Sequence, residues 1–448
     1  MRTKLLLIGC LFPIAIPSLG FAQGGGLREK ISELFIFGSG QEPLFLAGSA
    51  SPTNPVSLQA HGSHFIPASA ATNASVISFI TDAISGSVAN LPIGSTSGGE
   101  TFRFVAGLPV PTSTSSGPIF AERAKTLGRG RVLAGVSRSG FRFSTLRGAD
   151  MRNINLTFTH QNVDFPGCSG TFADNCAKMG VPVLENDVIN FRLSIDLDVR
   201  VTSTYLTYGL TDRFDVGVVI PVVQTQFRGS SQADIVPFGG TMAAHYFSGT
   251  SADPVLSASR QTEGSATGLG DVALRMKGNV RETQTTRFAL LLDARFPTGS
   301  SKDELGSGSF AARGLAILSS RYGDFSPHAN VGYLFRAGKR QNDAVVGTVG
   351  FDHRMAERVT MAADLVSELQ VGDSKLNLPQ PVHYNAPFNR TVQVTDIPDT
   401  RDDIVNGSFG FKLVPTRNVT VVLNTLFPLN RGGLRADLIY TAGIEYNF

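Results

Sequence analysis

Ten charged residues stand at alternate positions in three stretches of this 448-residue chain. They are Arg192, Asp196, Asp198 and Arg200, then Asp271, Arg275 and Lys277, then Arg287, Asp293 and Arg295. Apolar residues fill the positions between them, for instance Phe191, Leu193, Ile195, Leu197, Val199 and Val201 in the first stretch. Successive side chains of a strand point to opposite faces, so each stretch has one apolar and one charged face. A ring of one sign would select ions of the other sign, whereas this set is mixed. Mixed signs suit cross-strand ion pairs that hold a wall together. Contact with a polar part of a substrate is the other chemistry open to them.

Other reactive types are sparse. The histidines His61, His64, His160, His245, His328, His353 and His383 are scattered, and none lies in a local catalytic motif with Ser or Asp. His61 and His64, in HGSH, could give two metal ligands but read more simply as part of a loop. Gly128-Arg129-Gly130 lacks the strand, helix and lysine of a phosphate loop. No metal and no cofactor is expected. Cys168 and Cys176 are too few for a metal site, and after export they read as a disulfide. Closing so short a loop is worth about 2–3 kcal/mol in the entropic account.

Composition narrows the classes. Charged residues are 17% of the chain, below the roughly 25% of soluble domains. With 31 Phe there is enough apolar material to order a large structure. A net charge of +3 gives no footprint for nucleic acid, which is excluded as a partner. Residues 1–22, MRTKLLLIGCLFPIAIPSLGFA, read as a secretory signal peptide: a basic start, a short apolar run and a small-residue cleavage site. The alternative, lipidation at Cys10, leaves too short an apolar run before it. No later stretch is long enough for a membrane helix.

The elements that must position the charged faces are therefore strands, and the fold class expected is all-β. The strands run about 10–13 residues, suited to a tilted membrane crossing. Tight turns near Gly209–Arg213, Arg281–Gln284, Tyr322–Asp324, Met355–Glu357 and Pro415–Arg417 alternate with long connections near 163–187, 229–267, 298–308, 371–403 and 429–435. That asymmetry belongs to outer-membrane barrels, whose apolar face meets lipid and whose polar face lines the lumen. On this reading all ten charged residues line the lumen. Counting gives a transmembrane antiparallel β-barrel of about 14 strands: thirteen candidates from 131–145 and 151–162 through to 437–448, and Thr101–Ala106 as one more; twelve is the alternative if the first strands lie outside the wall.

The C-terminal segment LIYTAGIEYNF places Leu438, Tyr440, Ala442, Ile444, Tyr446 and Phe448 on one face. With Thr441, Gly443, Tyr446 and Phe448 it resembles the C-terminal assembly signal of bacterial outer-membrane barrels. Outer-membrane lipid and the barrel-assembly machinery are the partners this implies, and the Gram-negative cell outer membrane is the expected location. Residues 23–100 are different: Leu27, Ile31, Leu34 and Phe35, and later Val76, Ile77, Ile80 and Ile84, follow helical spacing. The domain reading is a signal peptide over 1–22, a partly helical N-terminal plug or periplasmic segment over 23–100, and a barrel over 101–448.

Gly268-Leu269-Gly270-Asp271, the alternating strand to Lys277, and Phe296-Pro297-Thr298-Gly299 resemble the outer-membrane family named for the MetA pathway of phenol degradation. GPIFAERAKTLGRGR (Gly117–Arg131) is similar to that family's segment before its main barrel. The resemblance covers about 100–448 and implies a passive channel taking up hydrophobic or aromatic small molecules, not an enzyme. It is related in architecture to outer-membrane carriers of fatty acids and aromatic hydrocarbons. Two other classes stand beside it: a barrel lipase or protease, and a non-conducting structural or adhesive barrel.

Overall fold

The computed structural model describes residues 26–35, 37, 80–84, 87, 102–105, 108–111, 121–159, 187–237, 246–250, 252–338, 341–376, 378, 380–384 and 389–448. The signal segment, Cys168 and Cys176, His61, His64, His160, His245, and Val76 and Ile77 lie outside the described residues.

Twelve strands close a ring. In chain order they are β1 (Val132–Leu146), β2 (Val188–Thr211), β3 (Phe214–Val236), β4 (Val272–Glu282), β5 (Thr286–Phe296) and β6 (Ala311–Ser320). There follow β7 (Phe325–Arg336), β8 (Ala344–Ala356), β9 (Val359–Gln370), β10 (Ile404–Thr416), β11 (Val419–Pro428) and β12 (Ile439–Asn447). Each pairs antiparallel with the next, and β12 pairs back on β1 from Tyr440↔Gly140 to Asn447↔Leu133. Closure leaves no wall edge with unpaired backbone groups, which is what a strand structure in lipid requires.

The wall thus has twelve strands rather than fourteen. Phe102–Val105 pairs only with Leu108–Pro111, in a separate hairpin. Ile154–Thr159 pairs with β2 over Val188–Leu193, beyond the point where β1 leaves it at Phe143↔Leu197. Neither can enter the ring, because β1 and β2 already pair directly across Val132–Phe143.

Outward side chains form an apolar belt, including Leu206 and Leu210, Ile220 and Val222, Leu290 and Leu292, and Phe409 and Phe411. At the C-terminus Tyr440, Ala442, Ile444, Tyr446 and Phe448 face out, with the Tyr446 and Phe448 rings 4.5 Å apart. Thr441 and Glu445 are buried on the inner face. The belt ends sharply on β2 and β3, which run 24 and 23 residues where a crossing needs about 9–11. Outward residues change from Ile220 and Val222 to Gln224, Gln226 and Arg228 on β3. Beyond that line the two strands stand clear of the membrane as a tall screen, flanked by Ile154–Thr159 and by Ser257–Leu269, which pairs with β3. The expected long connection at 229–267 is therefore largely strand: β3 runs on to Val236 and Ser257–Leu269 returns beside it.

Candidate functional site

The charged residues read from the sequence separate into two groups. Arg192, Asp196, Asp198 and Arg200 do not line the lumen. They lie on the outer face of the screen, where Arg142 meets Asp198 at 2.7 Å and Arg152 meets Asp196 at 3.1 Å. Their apolar neighbours Phe191 to Val201 point inward and are buried. The strand keeps one side inward throughout, but what each side meets is exchanged where the wall leaves the lipid. In the membrane the outer face is apolar; above it the outer face meets water and the inner face is covered by protein.

That cover is α1 (Leu27–Glu33) with residues 80–84. Leu27, Ile31, Leu34, Phe35, Phe37, Ile80 and Ile84 share one buried cluster with Phe191, Leu193, Ile195 and Phe227. Phe35 stacks on Phe191 at 4.6 Å. The helix comes so close that a Cβ on Gly229 would sit 2.6 Å from Leu34, and one on Gly264 2.8 Å from Leu27. Ser231 donates to the Leu34 carbonyl at 2.6 Å, and Thr262 to that of Lys30 at 3.0 Å. Each fully buried large side chain contributes on the order of 1.5–3 kcal/mol, so the seal at the long-loop end is firm.

The glycine-rich motif clamps this seal. Asp271 accepts hydrogen bonds from the Gly299 N–H at 3.0 Å and the Ser307 N–H and hydroxyl at 2.8 and 2.6 Å. Thr298 donates its hydroxyl to the Gly270 carbonyl and accepts from the Val272 N–H. The two halves of the motif thus fix each other across the rim. The loop between Gly299 and Ser307 then carries Glu304, fully buried, to Arg28 of α1 at 3.2 Å; Arg28 also meets Asp82 at 2.9 Å. Asp271 is therefore a loop-holding carboxylate.

A second seal lies at the short-turn end. Residues 121–127 cross the interior and bond to four wall strands. Leu127 N–H donates to the Asp215 carboxylate (β3) at 3.0 and 3.1 Å, and Asn279 (β4) donates to the Ala124 carbonyl at 2.9 Å. Ala124 N–H donates to Ser319 (β6) at 3.2 Å, and Arg123 is paired with Asp352 (β8). Glu122 lies 3.5 Å from Arg275 and 3.7 Å from Lys277. Gly128 and Gly130, at φ 94° and 73°, then turn the chain into β1; Gly209 touches the Gly128 carbonyl so closely that no Cβ would fit. Of the residues read from the sequence, Arg275, Lys277, Asp293 and Arg295 meet here, buried. Asp293 binds Arg275 at 3.2 Å, Arg295 at 3.5 Å and Arg313 at 2.9 Å. Arg287 is half-buried and pairs with Glu282 at the turn. His328 sits between Asp364, at 2.7 Å, and Asp352. Among the described residues no three metal-binding side chains form a group.

Between the seals is a cavity of about 250 Å³. Phe141, Phe143, Leu315, Val346, Leu426 and Leu434 give it an apolar side; Arg336, Asn342, Glu368, Asn406 and Arg435 give it a polar one. The Phe141 and Phe143 rings meet edge to face at 5.1 Å. An engineered apolar cavity of about 150 Å³ holds benzene, so this one has room for a substituted single ring. Its carboxylates are taken: Glu368 by Arg336, Asp402 by Arg147 at 2.7 Å, and Glu122 as above. Asp343 accepts from the Tyr333 hydroxyl and the Arg336 N–H, both at 2.8 Å. The sequence did not point to Glu122, Arg123, Arg336 or Arg435. Glu122 and Arg123 lie in an irregular segment, Arg336 ends β7, and Arg435 is the middle of the three-residue strand Leu434–Ala436, too short for a period to mark it.

Residues 184–377 match the family described as Putative MetA-pathway of phenol degradation. No curated protein matches the chain in sequence. Among solved structures, the fold is similar to an outer membrane channel from Pseudomonas putida F1, at 10% identity and a TM-score of 0.39, covering 72% of this chain and 98% of that one. A Pseudomonas aeruginosa FadL homologue matches at 10% identity and a TM-score of 0.33, covering 71% and 90%. A mutant of the monoaromatic hydrocarbon channel TodX matches at 12% and 0.33, covering 72% and 92%.

Proposed function

We propose that this protein is a passive channel of the cell outer membrane for small hydrophobic or aromatic molecules. The carrying observation is the cavity of about 250 Å³ held inside a closed barrel between two interior seals, with Phe141 and Phe143 on its wall. An open pore would pass ions and sugars. A barrel sealed at both ends passes only what can enter a pocket and leave it when a seal shifts. The cover formed by α1 with residues 80–84 acts as the upper gate and residues 121–127 as the lower one. The family match over 184–377 supports the same reading. The test is uptake of radiolabelled toluene and of a sugar into liposomes that hold the purified protein. Faster toluene entry with no sugar entry supports a selective channel. Equal entry of both solutes into loaded and empty liposomes refutes it and leaves a structural barrel.

A further inference from the structure

Four guanidiniums line the cavity: Arg275, Arg313, Arg336 and Arg435. The first three each have a carboxylate within salt-bridge distance. Arg435 has none among the described residues. It is only 4% exposed, and its Nη2 donates to the Val405 carbonyl and to Asn406 Oδ1, each at 2.7 Å. Nε and Nη1 make no hydrogen bond to the described protein. Burial without a counter-charge draws the group down to about 10. A buried cation is costly to leave without a counter-charge, and the lining carboxylates are already bound to other groups. Phe143, Leu434 and Ala436, beside Arg435 on the cavity wall, offer nothing polar to it.

We propose that this cavity binds small monocyclic carboxylates, with Arg435 holding the carboxylate and the Phe141 and Phe143 face holding the ring. This rests on the channel reading and names a substrate class for it. A monoanion matches one free guanidinium; a dianion would add charge that the neighbouring Glu368 and Asp402 oppose. The volume admits one ring with a short substituent.

The test is calorimetric titration of the full-length protein in detergent with benzoate, benzamide and toluene. Benzoate is expected to bind at least tenfold more tightly than its neutral isostere benzamide. Arg435→Gln should abolish that preference while benzamide and toluene bind as before, and Arg435→Lys should restore part of it. Heat-modifiable mobility on gels reports whether each variant is folded; if Arg435→Gln does not assemble, the wild-type comparison decides. Benzoate binding no more tightly than benzamide, while toluene binds, overturns the proposal and leaves the channel reading standing. If none of the three binds, the cavity is not a way-point and both fall.

Discussion

Replacing Glu122 with Ala should unlatch the lower seal. Glu122 is 3% exposed and faces Arg275 at 3.5 Å and Lys277 at 3.7 Å. Breaking a buried ion pair by removing one partner costs about 3–5 kcal/mol. Arg275 keeps Asp293 at 3.2 Å, so the lower figure, about 3 kcal/mol, is appropriate. The wall is closed by its own backbone ladder and does not need Glu122, so the loss falls on docking of residues 121–127. At about 1.4 kcal/mol per decade, the ratio of docked to released segment falls by about 10². The measurement is single-channel conductance in planar bilayers, with heat-modifiable mobility to confirm the barrel. Openings several-fold more frequent, or larger, are expected in the variant. A correctly assembled variant with wild-type conductance at every voltage would refute the assignment of 121–127 as a gate.

Asp271→Ala removes the acceptor for three hydrogen bonds from Gly299 and Ser307. At roughly 1 kcal/mol each it should lower stability by about 3 kcal/mol and expose 298–308 to protease, read by cleavage and by the heating temperature that unfolds the barrel. Asp196→Asn with Asp198→Asn should leave conductance and ion selectivity unchanged, because both residues face outward above the belt; altered selectivity in bilayers would place them in the permeation path after all. Deleting Phe448, whose ring meets that of Tyr446 edge to face and whose N–H donates to the Val132 carbonyl at 2.9 Å, should reduce the amount of heat-modifiable barrel in outer membranes. Wild-type levels would deny the terminal aromatic an assembly role.

Period-two alternation located the wall well. Strands expected at 285–297, 310–321 and 418–428 fall at Thr286–Phe296, Ala311–Ser320 and Val419–Pro428. Alternation reports that two faces differ, however, and not which of them meets lipid, water or protein. Hence Arg275 and Asp293 are inward while Arg192 and Asp198, in the same kind of pattern, are outward. The exchange depends on the height of a residue above the membrane and on whether a helix covers the inner side, neither of which is local. Strand number failed to resolve for a related reason: Thr101–Ala106 and 151–162 alternate as wall strands do, but their neighbours were already paired. The helical spacing of Leu27, Ile31, Leu34 and Phe35 was legible, and so was its apolar face. The lower seal was not, because its contacts are backbone donors and single side chains in an irregular segment.

The seam between β1 and β12 has a consequence for how the molecule is made. Ser139 and Thr441 touch across it at 2.8 Å, although 302 positions separate them in the chain. The interior segments precede every wall strand, and the ring that surrounds them is completed by the last one. Residues 26–35 and 121–127 thus come earlier in the chain than the sheet that encloses them, like a cargo that precedes its wrapper. Contacts so distant in sequence form slowly, because the loop they close is costly in entropy. Until the seam forms, the first wall strand and the apolar inner face of the screen are both open to other chains. A chain whose last strand arrives late waits as an unclosed sheet with its edges unpaired.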